Sequence, residues 1–275
     1  MAENEKGYRF GLIGWPLVFS LSPLIHREFL RATGHSGEYS AYPVFPDKFR
    51  KSVTELLDSG VTGLNVTYPY KEAAAAMCHE ISSEAVDLNA INTMKMENGC
   101  ISGYNTDIYG FNCYVDENRL KEPFFVTGSG GAARAVDYVL HGRGLQYRFF
   151  CRNPLKWKGT VRAENLDELN GSLKKADNGT VINATTLGWK NDDDFPVEPS
   201  LLANRVFADL NYNRLWRWRN DLGNLNVNVI TGEIMLVHQA AKSFEIWTGT
   251  MPGTAAVLEM VAEMLEESRK GCDIS

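Results

Sequence analysis

"PFFVTGSGGAARAVDYVLHGRG", residues 123–144, is the stretch on which the reading of the fold turns. An apolar, β-favouring run leads into Gly128-Ser129-Gly130-Gly131, and a helical pattern opens at Ala132 and Ala133. Gly128, Gly130 and Ala133 satisfy G-x-G-x-x-A in the setting that gives the pattern meaning, directly after a strand and at the start of a helix. Small residues let the backbone approach a pyrophosphate, and the helix N-terminus offers it unpaired N–H groups and a positive dipole end. The turn predicts a dinucleotide-binding βαβ unit, with Gly128, Ser129, Gly130, Gly131 and Ala132 against the phosphates.

The next strand, "LQYRFFCR", decides between dinucleotides. An acidic residue at its end would take the ribose 2′-hydroxyl of NAD. Here it runs into "CRNPLK", with no Asp or Glu, and Arg152 and Lys156 stand where a 2′-phosphate would lie. Each alone reads as an ordinary solvated charge; in this place the pair predicts NADP.

Working outward, "GTVINATT", "RVFADLN" and "LNVNVIT" continue the second half as further strands. In the first half "YRFGLIG", "GEYSAYPVF" and "VTGLNVT" alternate with the helical patterns "SPLIHREFLRATG", "PDKFRKSVTELLDSG" and "YKEAAAAMCHEI". Such alternation is the mark of α/β architecture with largely parallel sheets, here in two domains. Ser22 before Pro23 reads as a helix N-cap, Gly34 as a helix stop, and Asn98-Gly99 as a tight hairpin turn between "AINTMKM" and "CISGYN".

Composition narrows the chemistry. The 275 residues, 44% hydrophobic, carry a net charge of −6 with no long basic run, which argues against nucleic acid or an anionic membrane as partner. No apolar run approaches the roughly 20 residues that span a bilayer. Five widely spaced cysteines without a CxxC pair, and a polar N-terminus unlike a secretory signal, predict reduced thiols in the cytoplasm. The five histidines have no ligand spacing, so no metal site is expected.

Four polar clusters in the first half follow strands or precede helices: "SLSP" (Ser20, Ser22), "NVTYPYK" (Asn65, Thr67, Lys71), "AINT" (Asn92, Thr93) and "YNTD" (Asn105, Thr106, Asp107). Hydroxyls, amides, one lysine and one carboxylate suit a small polyhydroxy acid. Singly, each has a structural explanation as a helix cap or turn residue, Asp107 as the cap of "IYGFNCYVDEN" among them.

Together with "GSGGAARA", "INATTLGW", "DLNYN" and "MLVHQAAKSFEIWTG", these clusters resemble, in order and over nearly the whole chain, the shikimate dehydrogenase family. The resemblance implies an α/β protein of two domains with a cleft between. Residues 1–107 plus 240–275 would bind substrate, and residues 108–239 would form a Rossmann domain for NADP. It implies reduction of 3-dehydroshikimate to shikimate in aromatic amino acid biosynthesis by a monomer or homodimer. Lys71 and Asp107 would be the catalytic pair, and Ser20, Ser22, Thr67, Asn92 and Gln239 would hold the substrate. Thr185, Tyr212 and Gly232 would join the glycine turn on the cofactor side. The chemistry agrees: hydride delivered to a carbonyl carbon needs a proton donor within about 3 Å of the oxygen, which Lys71 can be, with Asp107 to orient it.

Three stretches depart from the family pattern. Ile108 and Tyr109 follow Asp107 where a glycine is usual, Trp216 and Trp218 follow "NYN", and Glu233 and Ile234 occupy a segment where small residues are common. They bear on substrate choice, where the alternative is a quinate or quinate/shikimate dehydrogenase using NAD; the alternative from another class is a non-catalytic NADP-binding regulatory module, whose mark would be loss of the lysine or carboxylate.

Overall fold

The structure, a computed structural model, describes residues 7–17, 20–188, 195–212, 222, 225 and 227–272. The Trp216 and Trp218 segment lies outside the described residues. By its contacts the chain divides into two compact units, Met1–Gly110 with Val237–Glu259 and Phe111–Leu236 with Met260–Ser275.

The first unit holds β1 (Tyr8–Gly14), α1 (Ser22–Thr33), β2 (Gly37–Pro43), α2 (Phe49–Asp58), β3 (Gly63–Val66), α3 (Lys71–Ala75), β4 (Glu80–Ile81), α4 (Ser83–Asp87), β5 (Thr93–Glu97) and β6 (Cys100–Tyr104). Its sheet runs β2-β1-β3-β5-β6-β4. The sheet is mixed rather than largely parallel, because β5 pairs antiparallel with both β3 and β6. The hairpin forces this: Asn98 and Gly99 both take positive φ, 52° and 76°, and a two-residue turn of that kind joins only antiparallel strands. The helix expected over "YKEAAAAMCHEI" stops at Ala75, and Glu80–Ile81 joins the sheet beside β6.

Helix α1 starts at Ser22 with Pro23 in its first turn and ends at Gly34, whose φ of 72° suits a left-handed C-cap. Ser22 is not the N-cap; its N–H is taken by the Ser20 hydroxyl at 3.2 Å, leaving the Ser22 side chain for the interior. On one side of the sheet the core is built by Ile13, Phe49, Val53, Leu64, Tyr70, Ile91 and Met94. Phe10 of β1 is in ring contact with Phe244 and Trp247, which join Phe29 and His26 in one aromatic cluster. Gly63 has no side chain because a Cβ there would meet the Trp247 indole at 2.6 Å, and the indole donates to the Met94 carbonyl at 2.9 Å.

The second unit contains α5 (Asp107–Glu117) from Phe111 onward, β7 (Phe124–Thr127), α6 (Gly131–Gly142), β8 (Tyr147–Cys151), β9 (Ala163–Asn165), α7 (Leu169–Leu173), β10 (Thr180–Asn183), β11 (Val206–Asp209) and β12 (Asn228–Thr231). All its strand pairings are parallel, in the order β12-β11-β10-β7-β8-β9. That is the doubly wound dinucleotide-binding order, with its switch point between β7 and β10. Strand β9 carries no strong pattern and was not expected. The chain then enters α8 (Glu233–Thr248) and α9 (Ala255–Cys272). By its contacts α9 is divided between the two units at Glu259 and Met260.

Candidate active site

Strand register brings the polar clusters of the first unit to one sheet edge. Asn65 in β3 pairs with Thr93 at the start of β5, and Thr93 pairs with Tyr104 at the end of β6. Because β5 runs against its neighbours, its first residues meet the last residues of β3 and β6. Asn92, Thr93, Asn105, Thr106 and Asp107 therefore converge with Asn65 and with Lys71, which opens α3 a few residues after β3. The Lys71 carbonyl accepts the Ile91 N–H at 3.1 Å, so the base of this side chain is tied to the same edge.

At the centre Lys71 Nζ lies 2.5 Å from Asp107 Oδ2, with side chains 21% and 11% exposed. The other carboxylate oxygen, Oδ1, accepts from Asn92 Nδ2 at 2.8 Å. The Asn92 amide is itself fixed: its Oδ1 accepts the Thr106 N–H at 2.8 Å and the Thr106 hydroxyl at 3.1 Å, so only its NH2 can face Asp107. Asp107 is not spent as a helix cap. The Asp107 N–H is taken by Asn105 Oδ1 at 3.1 Å, which leaves the carboxylate for the ion pair. An ion pair this far out of water contributes little net stability beside an apolar alternative, so its presence is better explained by chemistry than by folding.

Asn65 carries the group toward α1. Its Oδ1 accepts from the Tyr39 hydroxyl at 2.9 Å, and the nearby Ser22 hydroxyl weakly opposes the effect of burial on the Tyr39 phenol. Burial pushes the Tyr39 phenol far up, so it stays a donor. His26 stacks on the Tyr39 ring at 4.3 Å and 4°. Burial holds His26 at a pKa of about 3, with Asn65 a weaker influence in the opposite direction, and neither ring nitrogen has a hydrogen-bond partner in place. It is a neutral aromatic filler, not a base.

The structure joins Lys71, Asp107 and Asn92 directly, sets Gln239 Oε1 3.4 Å from the Thr106 hydroxyl, and buries Ser22 at the start of α1. It does not join the Thr67 hydroxyl to this group: Thr67 follows β3, and its methyl packs over Gly14, where a Cβ would come within 2.4 Å. Ser20 serves the start of α1. Tyr109, one of the departures, turns its ring toward His238 and under Lys242, whose Nζ is 5.5 Å from the centroid. The sequence reading missed Tyr39 and Ser243. Ser243 does lie four residues after Gln239, hence on the same helix face, and that spacing is a signal that could have found it.

In the second unit the glycine turn has the geometry a dinucleotide needs. Gly128 has a φ of 125°, and a Cβ there would stand 2.6 Å from the Ala184 carbonyl, at the switch point. Gly130 is the N-cap of α6, which opens with Gly131 and Ala132, and a Cβ at Gly130 would meet nothing within 4 Å among the described residues. Ser129 is exposed beside it. Thr185 is locked by Asn183, whose Oδ1 accepts its N–H at 3.0 Å and its hydroxyl at 2.6 Å. Asn183 and Asn211 both bond the buried Asp209 carboxylate at 3.0 Å, which ties together the ends of β10 and β11. Gly232 is required by packing, since a Cβ would meet the Leu210 carbonyl at 2.0 Å. Tyr212 is half-buried, and burial pushes its phenol up to about 12. Arg152 and Lys156 are exposed and make no ion pair among the described residues.

Residues 12–94 match the shikimate dehydrogenase substrate binding domain, and residues 234–261 match the shikimate 5′-dehydrogenase C-terminal domain. The shikimate dehydrogenase (NADP(+)) of Methanopyrus kandleri is 32% identical over 93% of this chain and 95% of its own length. The chain belongs to the shikimate dehydrogenase family. Another relative in that family, the shikimate dehydrogenase (NADP(+)) of Afipia carboxidovorans, is 33% identical over 92% of this chain and 95% of its own. Among solved structures, the shikimate 5-dehydrogenase of Thermus thermophilus, crystallised with NADP(H) and shikimate, superposes with a TM-score of 0.82. It is 30% identical and covers 93% of this chain and 99% of that one. The shikimate dehydrogenase of Aquifex aeolicus superposes at 0.84, with 28% identity over 94% and 98%. The family match spans both units, so the polar group of the first sheet and the glycine turn of the second belong to one kind of protein.

Proposed function

We propose that the protein is an NADP-dependent shikimate dehydrogenase that reversibly reduces 3-dehydroshikimate to shikimate, on the route to aromatic amino acids. The observation that carries this reading is the Lys71–Asp107 pair, set in a wall of amides and hydroxyls and locked by Asn92. A non-catalytic module that had kept only the fold would have no reason to hold a lysine and a carboxylate half out of water.

The residues present fit NADP: a glycine turn at the N-terminus of α6, and two exposed cations at the end of β8. Gly130, Gly131 and Ala132 would hold the pyrophosphate, Arg152 and Lys156 the 2′-phosphate, with Thr185, Tyr212 and Gly232 shaping the rest of the site. When bound, NADPH supplies the hydride that reaches the substrate carbonyl carbon. The work of this chain is then protonic and electrostatic. Asp107 accepts hydrogen bonds at both oxygens, so it acts as an ionised acceptor that fixes the Lys71 ammonium. Lys71 Nζ holds the transferable protons and stabilises charge growing on the carbonyl oxygen as it delivers one of them. Ser20, Ser22, Thr67, Asn92 and Gln239 hold the carboxylate and hydroxyls of the ring. A net charge of −6 with no long basic run suits a cytoplasmic enzyme, monomer or homodimer, acting on a free metabolite.

The test follows NADPH absorbance with shikimate and then quinate, each offered with NADP and NAD. Turnover of shikimate with NADP well above the other three combinations is expected. Faster turnover of quinate with NAD, or none with any pair, would overturn the proposal.

A further inference from the structure

We infer that Ser243, in the middle of α8, is a positioning residue that keeps the Asn92–Asp107–Lys71 arrangement aligned with Gln239; the inference rests on the activity proposed above. Ser243 is completely buried. A serine in mid-helix commonly bonds only the carbonyl four residues back. Ser243 does so, donating to the Gln239 carbonyl at 3.0 Å, but its oxygen also meets Thr93 Oγ1 at 2.8 Å, Asn65 Nδ2 at 2.9 Å and Thr106 Oγ1 at 3.1 Å. Four partners drawn from β3, the start of β5, the link between β6 and α5, and α8 meet at one hydroxyl.

Counting protons assigns the directions. The single Ser243 proton goes to the Gln239 carbonyl, so its lone pairs accept from Asn65 and from Thr93, the closest hydroxyl. That arrangement frees the Thr106 hydroxyl to donate to Asn92 Oδ1, beside the Thr106 N–H. Both donors hold the Asn92 carbonyl, its NH2 is thereby aimed at Asp107 Oδ1, and Asp107 Oδ2 is left for Lys71. Without the Ser243 hydroxyl, the Thr93 proton turns to Asn92 Oδ1 at 3.0 Å and competes with Thr106 for it. Asn65 is left with acceptors at 3.2 and 3.4 Å. The strand ends stay, but the amide that orients Asp107 loses its single fixed position. Chemistry that depends on donor placement is sensitive to shifts of that size.

The experiment compares wild type with Ser243→Ala in the full chain, measuring kcat and KM for shikimate and for NADP. The urea midpoint is followed alongside. For Ser243→Ala, kcat falls roughly ten- to hundredfold, while KM for NADP does not move. In an Asn92→Ala background the same change costs less than about twofold, because the residue through which Ser243 acts is already gone. A kcat within twofold of wild type, or equal losses in both backgrounds, would overturn the inference. Should Ser243→Ala fail to fold, Ser243→Cys, similar in size with a much weaker hydrogen-bonding group, carries the same comparison. Wild-type protein without shikimate turnover defeats the proposed activity; an active wild type with an unaffected variant defeats only the role of Ser243.

Discussion

At the edge of the first sheet the polar side chains are bonded to one another: Tyr39 to Asn65, Asn65 to Ser243, Thr106 to Asn92, Asn92 to Asp107 and Asp107 to Lys71. At the edge of the second sheet the residues that would meet a ligand are backbone groups beside glycine and two exposed cations. The first arrangement is set before any ligand arrives and costs chain entropy only on folding, as suits a site that must place a proton. The second leaves its charges solvated, as suits a site that holds a flexible dianion through long-range attraction.

The comparison breaks most visibly at its centre. Lys71→Ala should lower turnover by on the order of 10² to 10⁴ with a far smaller change in KM, measured by steady-state shikimate oxidation. Asp107→Asn places an NH2 against either the ammonium or the Asn92 NH2, so it should lose turnover as well; wild-type rates in either variant would take the pair out of the mechanism.

A second break tests how dry the support behind the site is. His26 is neutral and buried, with a folded pKa of about 3 against 6.5 for a free side chain. Because the folded pKa is lowered, the unfolded chain binds the extra proton as pH falls below 6.5, and stability present above that pH is lost on the way down toward about 3. The expected slope is about 1.4 kcal/mol per pH unit within that window. Urea midpoints between pH 7 and pH 4 check it, with His26→Phe as the flattened control; parallel curves for the two proteins would mean that His26 is hydrated.

The cofactor side should respond through affinity instead. Arg152→Ala with Lys156→Ala is expected to raise KM for NADP roughly tenfold or more while NAD turnover stays put, and added salt should narrow the wild-type preference. A preference for NADP that survives the double substitution would show that the exposed cations are only surface charge. The smallest effects belong to the substrate anchors: Ser20→Ala, Ser22→Ala and Thr67→Ala should each weaken shikimate binding by about 1 kcal/mol, read as KM. Among them Ser22→Ala should also loosen Tyr39, which it contacts; a larger loss at Thr67 than at Ser22 would reverse this ranking.

Much of this protein is local and could be read along the chain. The alternation of strands and helices, the Asn98-Gly99 hairpin, the Gly34 stop and the glycine turn are each set by interactions within a few residues, where side-chain sterics and backbone dihedrals act directly. The same holds for which residues could do chemistry, since Lys71, Asn92 and Asp107 stand beside strand ends by sequence alone. The short strands β4 and β9 could not be read, because two or three residues carry too little pattern and are held by their neighbours in the sheet.

What only the tertiary structure decided is how the polar residues are shared out. Nothing local says that Ser20 supports the helix start while Ser22 faces Tyr39, or that Asn105 caps α5 so that Asp107 need not. Nor does any local pattern place Ser243 against Asn65, 178 residues away in the chain. Sheet register and helix docking set those contacts, and the geometry of a hydroxyl with one proton and two lone pairs determines which of them can be satisfied at once. Identity is a property of the chain, but the direction of a hydrogen bond depends on everything folded around it.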